Sequence, residues 1–555
     1  MHKILKKTIK YTACGIGMLL LAIILFVSIL YFSADMLTPD YTPKANGELV
    51  QTDSLREYAG NYLRQSNSGL WELKVSGDAF QRGEAIGKLS SDLLYYQEKV
   101  FVDQIREIVP SDNYLKFLRF FIVLFNRNLG KNIPEEFRDE IYGISLSCTH
   151  EYDFIGTPYE RQLNYHSAHD LGHAMQDYML VGCSSFATWG ENSADSSLII
   201  GRNFDFYMGD KFAHNKLVSF YQPEQGYKFA SVGWPGMIGV LSGMNETGLT
   251  VTINAAKSDM PTASATPISI LTREILQYAS TIDEAYAIAL KRKTFVSESI
   301  LIGSARDGRA AIIEKSPEKT ALFTSSDNQI ICTNHYQSDT FRNDERNQEN
   351  IATSDSPYRF ARLQELLKEN KPIDPMKAAS ILRNQKGLDN IDLGMGNEMA
   401  INQLIAHHSV IFLPEKQIMY VSTSPWQYGK YMAYDLNKIF SDTIDFHHEI
   451  ATLNLTIPED NFIRQANYKQ FMAYKRLTKL IREKTQRKET IETKVLNLYE
   501  ASNPSFYYVY EVLGDYYAAI QQTDTAMTYW QKALTMPIPK QAEKVRIQQK
   551  INKKQ

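Results

Sequence analysis

Hydrophobic residues form one long uninterrupted run near the start of the chain. Residues 11–34 contain no charged side chain, and their centre reads GIGMLLLAIILFVSILYF. A helix over this run, at about 1.5 Å per residue, is long enough to cross a bilayer core of about 30 Å. Charged residues flank the run as four lysines before it and two aspartates after it: Lys3, Lys6, Lys7, Lys10, Asp35 and Asp40. We therefore predict that residues 1–34 are a Lys-rich cytoplasmic start and a single transmembrane anchor, with the rest of the chain on the extracytoplasmic side.

A cleavable signal peptide is the alternative explanation for this run. The apolar region of a signal peptide normally has about 7–15 residues and ends at a small-x-small cleavage site. The present run is longer, and Phe32-Ser33-Ala34 fits such a site poorly. The following residues, 35–50, are polar and contain two prolines, so we interpret them as a short tether.

The hydrophobic pattern changes in the body of the chain. Residues 51–182 carry helical patterning, as in LLYYQEKVFVDQIREIV and YLKFLRFFIVLFNRNL, with a helix start at Ile133-Pro134-Glu135-Glu136. Beyond them, strand-like runs such as SSLIIGRNFDF and GLTVTINA alternate with Gly, Asn and Asp turns, and one helix is predicted at about 268–292. This mixture favours an α+β body, layered as αββα, over residues 183–455.

Residues 456–555 return to helical patterning after Pro458. Within them, Leu513–Pro539 resembles one tetratricopeptide repeat. The positions near the spacing of that repeat are Leu513, Gly514, Tyr517, Ala526, Trp530, Ala533 and Pro537. One such unit cannot bury its own apolar face, so we expect it to pack on neighbouring helices as a cap. A peptide-binding array is the less favoured alternative.

Composition and charge exclude several functions. A chain of 555 residues exceeds what one hydrophobic core usually serves, so two or more structural units are expected. The net charge of −3 gives no electrostatic reason for a nucleic-acid partner. The chain has no GxxxxGK[ST] loop, no GxGxxG after a strand and no paired CxxC, so no cofactor is predicted. The basic surplus of residues 461–555 fits either anionic lipid head groups or a solvated surface, and no feature indicates the oligomeric state.

Four cysteines occur in the chain: Cys14, Cys148, Cys183 and Cys332. Because Cys14 lies in the apolar run, we expect no disulfide framework, although a Cys148–Cys332 bridge is compatible with an oxidising compartment. Cys183 follows Gly182 at the start of a strand-like run. By attacking its own preceding peptide bond, it would become a new N-terminus whose α-amino group, with a pKa near 7.7–8.0, acts as general base for the thiol. Taken alone, a cysteine at such a place is more often a buried core residue.

An ordered set of motifs changes that interpretation. The motifs are Gly182-Cys183-Ser184-Ser185-Phe186, Gly201-Arg202-Asn203-Phe204-Asp205, Met244-Asn245-Glu246-Thr247-Gly248-Leu249 through Ile253-Asn254, Cys332-Thr333-Asn334-His335, and HHSVIFLPEKQIMYVSTSPWQYGKYMAYDL. In this order they resemble the acyl-coenzyme A:6-aminopenicillanate acyltransferase-like family of autoproteolytic cysteine N-terminal-nucleophile (Ntn) hydrolases. Relatives of that family include choloylglycine hydrolases, penicillin V acylases and, more distantly, acid ceramidase. The resemblance covers about residues 180–440 and implies a four-layer αββα body.

The resemblance implies a nucleophile and an ion pair beside it. Cys183 would be the nucleophile both for self-cleavage at the Gly182–Cys183 bond and for catalysis. Arg202 would favour the thiolate, and Asp205 would hold the new α-amino group in position. A structural ion pair is the alternative role for these two charged residues.

The resemblance also implies polar groups for the reaction. The side-chain amides of Asn254 and Asn334 would donate to an oxyanion. Arg359, in Tyr358-Arg359-Phe360, matches a late arginine of the choloylglycine branch through a short motif. We expect structural roles for His335 and, in the turn before Gly248, for Asn245.

Three histidines lie just before the expected cut. His166, His169 and His173 have the spacing i, i+3 and i+7, which places them on one helical face and can hold zinc. Ntn chemistry needs no metal, so we predict no metal site and interpret the histidines as packing in a helical propeptide-like region. The 182 residues before the nucleophile depart from the choloylglycine hydrolases, and they point toward the acyltransferase branch.

Together these features predict an amidase that cleaves linear acyl amide bonds through a Cys183 thioester. Its partner would be a small-molecule acyl amide: an N-acyl amino acid, a bile-salt conjugate, a penicillin-like amide or an N-acyl lipid. One alternative is an acyltransferase that passes the acyl group to an amine. Another is a noncatalytic surface binding protein. A papain-like protease is disfavoured, because CSSFATW lacks the surroundings of that family's cysteine.

Overall fold

A computed structural model provides the structure of the chain. It describes residues 2–32, 34, 36–41, 47–52, 54–108, 111–174, 181–259, 261, 263–441 and 443–554. The strands are β1 Val50–Gln51, β2 Leu55–Tyr58, β3 Asn61–Gln65, β4 Trp71–Gly77, β5 Val181–Gly190, β6 Ser196–Phe206, β7 Leu217–Pro223, β8 Phe229–Gly233, β9 Ser242–Asn245, β10 Leu249–Ala255, β11 Glu298–Ser304, β12 Arg309–Lys315, β13 Thr320–Thr324, β14 Gln329–Cys332, β15 Ala406–Leu413, β16 Ile418–Ser422 and β17 Tyr431–Asp435.

The α-helices lie before, between and after these strands. They are α1 His2–Phe32, α2 Ala79–Leu89, α3 Ser91–Ile108, α4 Asp112–Phe125, α5 Leu129–Asn132, α6 Glu135–Ser145, α7 Pro158–Ala174, α8 Ile268–Tyr278, α9 Ile282–Lys291, α10 Asp339–Arg342, α11 Glu345–Thr353, α12 Ser356–Asn370, α13 Pro375–Leu382, α14 Leu436–Ile439, α15 Ala466–Gln486, α16 Thr493–Ser502, α17 Tyr507–Ala519, α18 Thr523–Leu534 and α19 Gln541–Asn552.

Two sheets form the centre of the fold: the larger is mixed, with one parallel pair, and the smaller is antiparallel throughout. The larger sheet has the strand order β1-β2-β3-β4-β7-β8-β9-β10-β11-β12-β13, and the smaller has the order β14-β5-β6-β15-β16-β17. Side chains from both sheets share one apolar cluster, which includes Leu198, Ile200 and Phe412 of the smaller sheet with Phe220 and Leu301 of the larger. The sheets therefore bury their apolar faces against each other.

Helices cover further apolar surface on each sheet. Leu271 and Ile275 of α8 cluster with Ile253 of β10 in the larger sheet. Leu363 of α12 clusters with Ile411 of β15 in the smaller sheet. The helix predicted at 268–292 is two helices in the structure. Thr281 begins the second one as an extended N-cap whose side chain accepts from the backbone N–H of Glu284, so a capping residue interrupts the helical run.

The first part of the body differs from its predicted helical character. Four strands lie between residues 50 and 77, ahead of helix α2, and β4 pairs in parallel with β7, with Trp71 opposite Leu217. Leu73 and Val75 of β4 are fully buried and point to the same face. The stretch with this strand-like alternation is short, and much longer stretches with helical periodicity follow it. The helical periodicity therefore dominates the pattern of this part of the sequence. The helix predicted at Pro134-Glu135 does begin there, as α6.

The C-terminal helices α15–α19 have an apolar cluster of their own, which includes Tyr474, Tyr499 and Trp530 and extends to Leu404 and Tyr428 of the body. The α17–α18 pair is held by the indole N–H of Trp530, which donates to Asp515 at 3.0 Å. A helical tail thus packs on the body, and its resemblance to a tetratricopeptide repeat stays a prediction.

Among the described residues, one helix is long and apolar enough to cross a membrane. It is α1, in which Cys14–Tyr31 has a mean hydropathy of 2.6 and is not buried in the fold. An apolar N-terminal helix of this kind occurs in membrane anchors and in signal sequences. The four cysteines, all of them described, are free, so the Cys148–Cys332 pairing is not formed.

Candidate active site

Cys183 lies on β5 of the smaller sheet, between the edge strand β14 and β6. It pairs in register with Phe204 and is fully buried. Its Sγ is 3.7 Å from Nη2 of Arg202, which donates to it. Burial raises the pKa of the Cys183 thiol to about 11, with Arg202 acting in the opposite direction. At neutral pH the enclosed thiol is therefore protonated.

Arg202 is fixed by its surroundings on β6. Its Nη2 donates to the carbonyl of Ile253 at 2.6 Å, and its Nη1 donates to the carbonyl of Leu241 at 3.2 Å and to the hydroxyl of Ser242. The guanidinium also lies 4.4 Å from the ring centroid of Phe204. Because three acceptors and one ring hold this cation, it lies beside the thiol without a carboxylate partner among the residues that the structure describes.

Asn334 and Arg359 hold the backbone of Cys183. The N–H of Cys183 donates to Oδ1 of Asn334 at 3.1 Å, and the same oxygen accepts from Nη2 of Arg359 at 2.7 Å. Nη1 of Arg359 donates to the carbonyl of Cys183 at 2.6 Å and to the Ser184 hydroxyl at 3.0 Å. Its Nε donates to Asp355 at 2.7 Å. Arg359, which the sequence matched by the shortest motif, thus contacts the backbone of Cys183 directly.

Asn254 lies on β10, facing β5 from the larger sheet. Its Nδ2 donates to the carbonyl of Cys332 at 2.9 Å, and its Oδ1 accepts from the Ser185 hydroxyl at 2.9 Å. The amide of Asn334 is likewise occupied, since Nδ2 donates to the carbonyl of Ala255 at 2.8 Å. Asn334 therefore contacts Cys183 itself and Asn254 contacts the nearby Ser185, and the amide donors of both are bonded to backbone carbonyls.

Asp205 pairs in register with Gly182, the residue before Cys183. It is fully buried, and neither carboxylate oxygen has a hydrogen-bond partner among the described residues. Burial raises the pKa of Asp205 to about 8, although Arg359 and Arg202 act to lower it. A carboxyl at this place lacks a bonded donor while the Gly182–Cys183 bond is intact.

Two polar groups at the site were missed by sequence reasoning. A Cβ added to Gly182 would lie 2.6 Å from Nε2 of Gln403, which is buried and has no hydrogen-bond partner among the described residues. Nε2 of His408 lies 2.8 Å from the Ser242 hydroxyl and 3.3 Å from Nη1 of Arg202. His408 could have been identified from the pair of adjacent histidines in the mostly apolar strand β15. No local sequence pattern marks Gln403.

The residues expected to be structural have structural contacts. Oδ1 of Asn245 accepts the backbone N–H groups of Thr247 and Leu249, each at 3.0 Å, and so shapes the turn. Nδ1 of His335 lies 2.8 Å from the Ser356 hydroxyl. Burial lowers the pKa of His335 to about 4, so the ring is neutral at physiological pH.

The histidine group before the cut is described only in part. Nε2 of His166 accepts from the backbone N–H of Ile238 at 3.1 Å, and its Nδ1 lies 2.7 Å from the Gln162 carbonyl. The side chains of His169 and His173 lie outside the described residues. Within the described part of the chain, no group of three or more His, Cys, Asp or Glu side chains is placed to hold a metal.

Comparison with known proteins gives one family match. Residues 190–420 match the model of the acyl-coenzyme A:6-aminopenicillanic acid acyl-transferase family. The match confirms the family resemblance that the motifs predicted. It begins after Cys183, and so covers Arg202, Asp205, Asn254, Asn334 and Arg359 but not Cys183.

Curated relatives and solved structures are more distant. An uncharacterized protein of Archaeoglobus fulgidus is 24% identical over 277 residues, which is 47% of this chain and 46% of that protein. Protein dcd1B of Dictyostelium discoideum is 23% identical over 271 residues, or 45% of this chain and 51% of that protein. The chain thus spans about half the length of these relatives.

Two solved structures are similar to parts of the chain at 15% identity and a TM-score of 0.31. One is a Caenorhabditis elegans N-acylethanolamine-hydrolyzing acid amidase ortholog, with 42% of this chain and 93% of that chain covered. The other is a mutant conjugated bile acid hydrolase from Clostridium perfringens, with 46% and 93% covered.

Proposed function

We propose that this chain, in which residues 190–420 match an acyl-transferase family, is an autoproteolytic cysteine Ntn hydrolase that cleaves linear acyl amide bonds through a Cys183 thioester. One observation carries the proposal. The N–H, carbonyl and Sγ of Cys183 are each held by a different side-chain group, while the neighbouring Asp205 has no hydrogen-bond partner among the described residues. This arrangement is what we expect of a precursor before cleavage. The cation that would pair with Asp205 is the α-amino group of Cys183, which exists only after the Gly182–Cys183 bond is cut.

The first step would be self-cleavage. Sγ of Cys183 attacks the carbonyl carbon of Gly182, the S–C bond forms, the C–N bond to Cys183 breaks, and the thiol proton moves to the departing nitrogen. Water then hydrolyses the thioester, which leaves a carboxylate on Gly182 and a free thiol beside a free α-amino group. Enclosure of the site supports a step within the chain, because Cys183 is fully buried before the cut.

After the cut, the α-amino group of Cys183 would serve as the general base for its own thiol. Asp205, opposite Gly182 in the sheet, would then gain an ammonium partner. An opposite charge within hydrogen-bond distance lowers a carboxyl pKa. The raised pKa of Asp205 in the uncut chain would therefore fall upon maturation.

Turnover would use the same groups on a substrate amide. Cys183 attacks the acyl carbonyl, and the amide donors of Asn254 and Asn334 reorient from backbone carbonyls to the oxyanion. The leaving amine takes the proton held by the α-amino group, and water releases the acyl group. Each oxyanion donor typically contributes about 10²–10³ in rate.

Transfer of the acyl group to an amine is the second candidate, favoured by the matched family's description. Water and an amine attack the same thioester, so the two reactions share every residue named above. Incubation with an acyl amide, with and without an amine acceptor, separates them. A new acyl-amine product in the mixture that contains the amine would show that the protein is an acyltransferase and not a simple hydrolase.

We further propose five parts for the chain: an anchor (1–34), a tether (35–50), a propeptide-like region (51–182), a four-layer αββα catalytic body (183–455) and a helical tail (456–555). The anchor would hold the body on the extracytoplasmic side. The shared apolar cluster of the two sheets and the helices packed on each of them support the layering.

The fragment before the cut would stay bound to the enzyme. Its strand β4 pairs with β7 along seven residue positions. Its buried Glu140 accepts from Arg82 of the same fragment at 2.8 Å. It also accepts from Arg273 of α8, which belongs to the fragment after the cut, at 3.2 Å. Buried, paired charges of this kind are costly to separate, so cleavage would leave the catalytic fragment attached to the anchored one.

Intact-mass measurement of the full-length chain tests the proposal. Wild type should lose the 63.5 kDa species and yield a fragment that begins at Cys183, whereas Cys183→Ala should remain uncut and inactive. The matched control is Cys332→Ala, a fully buried cysteine on the adjacent strand β14, which should still be cut. If wild type and Cys183→Ala both stay at 63.5 kDa and neither shows amidase activity, the chain is a noncatalytic surface protein.

A further inference from the structure

Helix α4 carries an exposed aromatic stripe. Tyr114, Phe117, Phe121 and Ile122 are 50%, 55%, 49% and 41% exposed. Their spacing of i, i+3, i+7 and i+8 places them on one face of the helix. Single exposed apolar residues are common in soluble proteins, but a contiguous aromatic face marks an interaction surface.

The opposite face of α4 fixes its orientation on the body. Leu115 and Val123 are buried, and Arg119 pairs with Glu160 of α7 at 2.9 Å. At the end of the helix, the carbonyl of Phe125 accepts from the backbone N–H of Ser264 at 3.0 Å. The stripe therefore points away from the body because the rest of the helix is held against it.

The stripe is continuous with the apolar helix α1. The ring of Tyr31 stacks on Phe120 with centroids 5.3 Å apart, and Phe120 contacts Phe121 of the stripe at 5.6 Å. Tyr31 is also the last residue of the apolar span that starts at Cys14. At about 1.5 Å per residue this span matches a bilayer core, which puts Tyr31 at the interface, where tyrosine is favoured.

We propose that α4 lies in the extracytoplasmic interface of the membrane that α1 crosses, with the Tyr114–Ile122 stripe in the acyl-chain boundary. The inference rests on the anchoring role of α1 in the proposed function. A helix in contact with Tyr31 is held at the depth of Tyr31, and an amphipathic helix buries its apolar face about 5–10 Å into that boundary. Lys116, exposed beside the stripe, reaches lipid head groups through its long side chain.

This placement bears on the substrate. A body held against the bilayer by both α1 and α4 meets acyl amides that are dissolved in the membrane. Among the substrate classes left open by the site, it therefore favours amides with long acyl chains, because each added CH₂ strengthens partitioning into lipid.

Lipid photo-crosslinking tests the proposal on the full-length chain. The chain is placed in phosphatidylcholine–phosphatidylglycerol vesicles that contain a lipid with a diazirine high on its acyl chain, and adducts are mapped by peptide mass spectrometry. We expect adducts in 111–127 and in α1. Two equally exposed leucines elsewhere, Leu290 (56%) and Leu498 (53%), serve as internal controls and should carry none.

A double variant provides the matched comparison. Phe117→Ser/Phe121→Ser should lose the adduct in 111–127 and keep the adduct in α1, while Leu290→Ser should change neither. Retained self-cleavage shows that the double variant is folded, since both positions are exposed and distant in sequence from Cys183.

The outcomes separate this inference from the anchoring on which it rests. Adducts in α1 without adducts in 111–127 overturn the inference alone. No adduct in either segment overturns the anchor and the inference together. A chain-to-chain crosslink through 111–127 in place of a lipid adduct means that a second copy covers the stripe, and this also overturns the inference.

Discussion

The free energy of unfolding of the uncut chain should fall as the pH becomes alkaline. Replacing the buried carboxyl of Asp205 by an amide should make this fall smaller. Burial raises the pKa of Asp205 to about 8 in the folded chain, whereas an aspartate in an unfolded chain has a pKa of about 3.9. Between these values the folded state binds more protons than the unfolded state. The free energy of unfolding therefore falls as the pH rises from about 4 to about 8.

The expected size of the effect follows from the two pKa values. Each pH unit in this window is worth about 1.36 kcal/mol, so Asp205 should remove on the order of 3 kcal/mol between pH 5.5 and pH 9. An unpaired buried amide costs about 1–3 kcal/mol at every pH. The informative quantity is therefore the change in stability with pH and not the stability at one pH.

Urea unfolding of detergent-solubilised protein at pH 5.5 and pH 9 measures this change. The parent is Cys183→Ala, which prevents cleavage, and the test variant is Cys183→Ala/Asp205→Asn. We expect the parent to lose on the order of 3 kcal/mol more than the variant between the two pH values. An equal loss in both proteins would refute the reasoning, because Asp205 would then not be the group that titrates inside the fold.

Glu72 provides a control for this experiment. It is a buried carboxyl on β4 that accepts from the Tyr434 hydroxyl at 2.9 Å, and burial raises its pKa to about 8 as well. Glu72→Gln should therefore also weaken the dependence of stability on pH. With Cys183 intact, self-cleavage should continue in Glu72→Gln and stop in Asp205→Asn, because only Asp205 lies opposite Gly182.

Three further substitutions test the geometry. Arg359→Lys should slow the loss of the 63.5 kDa band by about 10²–10³, because lysine cannot donate to the Cys183 carbonyl and to Asn334 in the geometry of the guanidinium. The control is Arg362→Lys, which replaces a buried arginine on the same helix and should leave the rate unchanged. Gly182→Ala should slow cleavage in intact-mass measurements, since its Cβ would lie 2.6 Å from Nε2 of Gln403 and would displace the end of that side chain. An added Gln403→Ser should restore part of the rate, and cleavage of the single variant at the wild-type rate would contradict this. Gly514→Ala should lower the free energy of unfolding, measured by calorimetry, by about 1–3 kcal/mol because the added Cβ would overlap the indole of Trp530 on α18. Cleavage should not change.

The sequence alone predicted the features that depend on neighbouring residues. The apolar run of α1, the start of α6 at Glu135 and the strand character of β5, β6 and β10 follow from local periodicity and capping. The candidate site residues were proposed from the resemblance of ordered short motifs to a known family, and each motif is short enough to be recognised from neighbouring residues alone.

Only the tertiary structure decided which groups meet. The parallel pairing of β4 with β7 and the contact of Gln403 with Gly182 join residues far apart in the chain. No local pattern reports such contacts, because they depend on how the two sheets pack. The pKa of Asp205 has the same origin: the sequence supplies a carboxyl, but its burial without a hydrogen-bond partner among the described residues is a property of the folded, uncut chain.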